Sequence, residues 1–147
     1  MHGYYFDVLR AMHAANYTPD VIVAPMRGGI DMGVKFSEYL NVPVVAIQWQ
    51  TRDGGERDSV KFREVLKQFQ GGKILVVDDI CDSGETLRGL NFVVDRYTDT
   101  VGPAIVDYAV AIHNEDCDFE PTWSGRNIHR NVDKQWFVFP WEAWWKQ

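Results

Sequence analysis

The chain has 147 residues, 46% of them hydrophobic and 24% charged, with a formal net charge of -6. That length suits one compact domain with a real core, and the composition excludes a disordered chain. The acidic balance argues against nucleic acid as a partner, because phosphate backbones call for Lys and Arg patches.

Residues 4–15 carry Tyr5, Val8, Leu9 and Met12 at helical spacing. Residues 16–20 form a turn, and the apolar run 21–24 reads as a buried strand. A glycine-rich loop at 26–29 follows. Next come a helix over 31–40, with Met32, Phe36 and Leu40 on one face, and a strand over 42–47. Residues 51–59 are polar and glycine-containing, as in a mobile loop. Residues 60–70 fit either a short helix or the return arm of a hairpin, and Gly71 and Gly72 break them. A strand over 73–77 ends in Asp78 and Asp79. Residues 82–84 make a turn, 85–97 a helix and 104–112 a fourth strand. Beyond Ile112 the pattern becomes irregular, and the Trp-rich stretch 136–145 reads as a cap.

Strands alternating with helices predict an α/β fold, a mostly parallel sheet with helices on both faces, plus a small C-terminal cap. The chain reads as a single domain over 1–147. Its core spans about 17–112 and its cap about 113–147, with a contribution from the N-terminal helix. Ligands in such sheets bind at the carboxyl ends of the strands, where the loops 26–29, 48–59 and 78–86 gather. The cysteines, Cys81 and Cys117, stand outside any CxxC pair, as expected in a reduced cytoplasmic setting. The N-terminus does not read as a signal peptide, and no apolar run is long enough to span a bilayer.

Most of the functional argument lies in KILVVDDICDSGETL. A buried strand delivers two acids to its exposed end, a small polar turn follows, and a helix begins. Asp82, Ser83, Gly84, Glu85 and Thr86 offer successive N–H groups and two hydroxyls to a phosphate at a helix N-terminus. Asp78 and Asp79 would repel that phosphate. They suit sugar hydroxyls and a divalent cation that offsets their charge. Taken singly, each feature is ordinary capping or turn chemistry. Together, in this order, they point to a phosphorylated sugar.

The stretch ILVVDDICDSGET resembles the phosphoribosyl pyrophosphate (PRPP) signature of type I phosphoribosyltransferases, with Ser83 where Thr is commoner. The resemblance implies that Asp78 and Asp79 bind the ribose hydroxyls and, with Mg2+ as cofactor, contact the metal only indirectly or through PRPP. It also implies that residues 82–86 hold the 5′-phosphate and that Asp82 manages the proton at N7 of a purine. VIVAPMRGGIDMG is similar to the family's pyrophosphate loop. There Arg27 takes pyrophosphate oxygens and Gly28 and Gly29 let backbone N–H groups approach. In that loop the family often has a cis peptide before the basic residue, here Met26–Arg27.

QWFVFPWE resembles the C-terminal base-binding segment of xanthine-guanine and hypoxanthine phosphoribosyltransferases. It implies that Trp136 stacks on a purine, that the Phe137 backbone bonds the ring edge, and that Glu142 is a further metal candidate. Many purine enzymes have His-Lys-Pro after the fourth strand. Here Asn114 takes the lysine position, and an amide can donate to a 6-oxo group or accept from a 6-amino group. The expected activity is phosphoribosyl transfer from PRPP to hypoxanthine, guanine or xanthine in a homodimer or homotetramer. Another nucleobase, or a non-catalytic PRPP-binding regulator, is the alternative.

Overall fold

The computed structural model describes residues 2–49 and 57–132. Four helices, α1 (His2–Ala14), α2 (Ile30–Leu40), α3 (Ser59–Gln68) and α4 (Glu85–Val101), accompany five strands. The strands are β1 (Val21–Met26), β2 (Val44–Gln48), β3 (Lys73–Cys81), β4 (Ile105–Asn114) and β5 (Trp123–Ile128). They form one sheet in the order β2-β1-β3-β4-β5, with every ladder parallel. Among the described residues, no helix is long and apolar enough to cross a membrane.

Both faces of the sheet are covered, as the alternation of elements predicts. Tyr5, Val8 and Met12 of α1 pack with Met32 and Phe36 of α2 on one face. Phe62, Val65 and Leu66 of α3 pack with Leu87, Leu90 and Val94 of α4 on the other. Phe36 is fully buried, so Phe36→Ala would cost about 3–5 kcal/mol in lost transfer energy and cavity.

The ambiguous segment at 60–70 is a helix. Its apolar residues Phe62, Val65 and Leu66 fall at helical spacing, and the Asp58 carboxylate caps its start by accepting the Lys61 N–H at 2.9 Å. Ser59 therefore belongs to α3 and not to the preceding loop. The expectation that β3 stops at Val77 is also corrected, since the strand runs through both acids to Cys81 and pairs there with β4. The irregular reading after Ile112 is overturned too. β4 continues to Asn114, and β5 adds a fifth parallel strand. A Cβ at Gly125 in β5 would lie 2.5 Å from the Tyr4 carbonyl oxygen and 2.8 Å from that of Ala111. Glycine is what lets α1 lie across this edge.

The topology places the site. From β1 the chain passes through α2 to the edge strand β2. It then returns through α3 to β3 on the other side of β1. The β1–β3 boundary is thus the topological switch point, where α/β sheets open a ligand crevice. The β1–β3 ladder ends at Val23 and Val76, while β1 continues beside β2 as far as Met26. Pro25, which has no N–H to give, falls beyond the end of that shared ladder.

Candidate active site

Two loops face each other across the switch point. The first leaves β1 through a cis peptide between Met26 and Arg27, in agreement with the resemblance. Gly29 N–H donates to the Pro25 carbonyl at 2.9 Å, and Ile30 N–H to the Arg27 carbonyl at 3.2 Å, so the loop turns directly into α2. Arg27 is exposed. A Cβ on Gly28 would lie 2.7 Å from Asp79 Oδ1 and 3.0 Å from Asp78 Oδ1. On Gly29 it would lie 2.5 Å from the Val77 carbonyl oxygen. The Arg-Gly-Gly backbone thus rests directly on the acidic end of β3, an approach only glycine allows.

Asp78 and Asp79 are each only 8% exposed. The Asp79 N–H donates to Asp78 Oδ1 at 2.9 Å and the Ile80 N–H to Asp79 Oδ1 at 2.7 Å. Burial, and then the negative charge of Asp79, pushes the Asp78 carboxyl well above the usual carboxylate range. A pair of this kind favours partners that neutralise it, either hydroxyl donors or a cation.

The turn after β3 begins α4. Gly84 sits at φ +79°, a left-handed conformation that L side chains rarely adopt. Ser83 Oγ accepts the Glu85 N–H at 3.2 Å, and Arg88 donates to the Ser83 carbonyl at 3.0 Å. Glu85 is exposed and sits 3.5 Å from Arg57. Thr86 lies in the first turn of α4, where backbone N–H groups have no intrahelical acceptor and can serve an anion.

Asp82 is held from two sides. Arg130 Nε donates to its Oδ1 at 3.1 Å and Nη2 to its Oδ2 at 3.3 Å. Asn114 Nδ2 donates to the Asp82 carbonyl at 2.9 Å, while Asn114 Oδ1 accepts the N–H groups of Asp116 and Arg130, each at 3.1 Å. Facing the 6-position of a base would require the Asn114 amide to leave these partners. The structure therefore brings Arg27, Gly28, Gly29, Asp78 and Asp79 together, with residues 82–86 and Asn114 at the adjoining strand ends. Trp136, Phe137 and Glu142, the cap over 136–145 and most of the 51–59 loop lie outside the described residues. Sequence reasoning missed Arg130, because a single arginine in an irregular stretch carries no signal until β5 returns the chain to Asp82.

Comparisons with known proteins bear on the family and the fold. Residues 6–147 match the family model described as "Phosphoribosyl transferase domain". A curated relative, "Putative ribose-phosphate pyrophosphokinase 2" of Streptococcus agalactiae, is 30% identical over 93 residues, which make up 63% of this chain and 26% of the relative. The chain thus spans about a quarter of the length of the curated relatives it matches. The purine phosphoribosyltransferase of Pyrococcus horikoshii Ot3 has a similar fold, with a TM-score of 0.69 and 22% identity over 95% of this chain and 86% of that one. The xanthine-guanine-hypoxanthine phosphoribosyltransferase of Helicobacter pylori gives a TM-score of 0.70 and 20% identity over 99% and 89%. With nearly its whole length inside the family match, and the acidic strand end and glycine loop meeting at the switch point, the chain belongs to the phosphoribosyl transferase domain family.

Proposed function

We propose that the chain transfers the phosphoribosyl group of PRPP to a 6-oxopurine, giving a nucleoside monophosphate and pyrophosphate. The observation that carries this reading is the seating of Gly28 against both carboxylates of the Asp78–Asp79 pair, beside the anion-directed turn 82–86. One PRPP molecule needs those three features side by side. Asp78 and Asp79 accept from the ribose hydroxyls, the N–H groups of 82–86 hold the 5′-phosphate, and Arg27 with Gly28 and Gly29 takes the pyrophosphate.

The buried pair, with Asp78 pushed upward, suits a nearby cation, so the residues fit Mg2+ bound beside Asp78 and Asp79, indirectly or through PRPP. When bound, Mg2+ offsets the negative charge that builds on the departing pyrophosphate. The bond from C1 of the ribose to pyrophosphate breaks, and a purine nitrogen forms the new bond to C1. Because the sugar becomes oxocarbenium-like, the protein's work is positioning and electrostatics. Asp82, fixed by Arg130 and Asn114, takes the proton released at the base. Trp136 stacks on the purine and Phe137 bonds its edge, in line with the resemblance of QWFVFPWE to the 6-oxopurine enzymes.

A substrate panel tests the reading. The chain is incubated with PRPP, Mg2+ and each of hypoxanthine, guanine, xanthine, adenine and uracil, with ATP and ribose 5-phosphate as a separate arm. A nucleoside monophosphate formed from a 6-oxopurine supports it. Turnover of adenine alone, of uracil alone, or of ribose 5-phosphate alone contradicts it.

A further inference from the structure

At the C-terminal ends of β3 and β4, against the 82–84 turn, three soft ligand atoms converge. Cys81 ends β3, and its register partner on β4 is His113. Just past β4 the chain turns back, with the Cys117 N–H on the Asn114 carbonyl at 3.2 Å. That turn brings Cys117 Sγ to 3.7 Å from Cys81 Sγ and 4.0 Å from His113 Nε2. All three atoms lie within 4.8 Å of one another. The Phe119 carbonyl oxygen faces the same point, 3.0 Å from His113 Nε2 and 3.4 Å from Cys117 Sγ. Cys81 and His113 are buried, Cys117 is half-buried, and both cysteines are free of disulfides.

We propose that Cys81, His113 and Cys117 form a zinc site, with the Phe119 carbonyl oxygen as its fourth ligand. Two thiolates at about 2.3 Å from zinc in a tetrahedron stand about 3.8 Å apart, close to the observed sulfur separation. A disulfide would need them at about 2.05 Å. Thiolate and imidazole select zinc over magnesium, which takes oxygen ligands. Burial and the neighbouring Cys117 thiol push the Cys81 thiol up, so zinc must displace protons as it binds. The ion would act as a clamp. A Cβ on Gly84 would meet Phe119 Cβ at 3.0 Å and Cys117 Sγ at 3.4 Å, so residues 117–119 already form the back wall of the phosphate turn. This site shares no ligand with the crevice and does not depend on the substrate reading.

The test measures metal and not turnover. Zinc content is read on the full chain as purified under reducing conditions. The chelator-treated chain is then titrated with Co2+, without PRPP or Mg2+. About one zinc per chain is expected, along with stoichiometric cobalt uptake showing thiolate-to-metal charge transfer and tetrahedral d–d bands. Cys117→Ser and His113→Gln should weaken cobalt binding at least about 100-fold, since losing even an outer-shell partner costs 10–100-fold. Cys81 lies in the core, so the half-buried Cys117 carries the test, with circular dichroism as the check on folding. If chelation unfolds the chain, its zinc content as purified, and the loss of that zinc in Cys117→Ser, decide the matter. The proposal is overturned if the reduced chain takes up neither metal, if cobalt binds without thiolate absorption, or if Cys117→Ser binds equally well. A chain that forms a Cys81–Cys117 disulfide in air and takes no metal when reduced also overturns it.

Discussion

Arg130 grips the Asp82 carboxylate with two nitrogens, Nε at 3.1 Å from Oδ1 and Nη2 at 3.3 Å from Oδ2, across 48 residues of sequence. A two-pronged guanidinium fixes a carboxylate in both position and plane. Arg130→Ala should therefore leave Asp82 in place along the chain but free to rotate. Hydrogen bonds to charged groups are worth about 1.5–3 kcal/mol, so kcat/KM for the base should fall roughly ten- to a hundredfold, at 1.4 kcal/mol per decade. The KM for PRPP should move much less. Steady-state kinetics with each substrate varied in turn checks this, and an equal loss for both substrates would contradict it.

Gly28→Ala tests the contact between the glycine loop and the acids. The new methyl would sit 2.7 Å from Asp79 Oδ1, and overpacking of this kind costs about 1–3 kcal/mol. The crevice, more than the core, would absorb the shift. Affinity for PRPP should fall about tenfold or more while thermal stability changes little, which paired calorimetric titration and melting curves would show. Unchanged PRPP affinity would contradict the assigned contact.

Asp78→Asn should raise stability while weakening PRPP binding. The folded-state pKa of Asp78 lies above its unfolded value of about 3.9. Stability is therefore lost as pH rises from about 3.9 through the folded value. Asparagine keeps an oxygen for the Asp79 N–H and carries no charge. A gain of about 1 kcal/mol at pH 7 would lift Tm by roughly 2–4 °C. A lower Tm would show that the buried pair is already well compensated.

The 129–131 turn should respond in the opposite direction. Asp116 accepts the Asn131 N–H at 2.9 Å and lies 3.3 Å from His129 Nδ1. The Asn131 N–H first, and then His129, holds this exposed carboxyl below its ordinary range. Its contribution is complete above about pH 3.9 and disappears as pH falls through the lower folded value. An NMR titration of the Asn131 amide should show a midpoint below about 3.9, and a midpoint at or above that value would contradict the contact.

The central motif was legible because its chemistry is contiguous. An apolar run, two acids and a small polar turn follow one another from Lys73 to Thr86, and the Arg-Gly-Gly loop lies one βα unit earlier. The end of β3 was not legible, because two buried carboxylates interrupt the apolar pattern that marks a central strand. β5 was missed because its sequence, WSGRNI, alternates poorly and packs on α1 through a glycine. The grip of Arg130 on Asp82, and the convergence of Cys81, His113 and Cys117, depend on strand order and register. Neither appears in local spacing.

The most direct measurement is a calorimetric titration of PRPP with Mg2+ into the unaltered chain and into the Asp78→Asn, Asp79→Asn double variant. Ribose held by both carboxylates predicts saturable binding to the unaltered chain. It also predicts at least tenfold weaker binding to the variant, since each hydrogen bond to a charged group is worth about 1.5–3 kcal/mol, with the fold preserved by circular dichroism. Equal affinity in the two proteins, or no binding to the unaltered chain, would contradict the assignment of this crevice to PRPP.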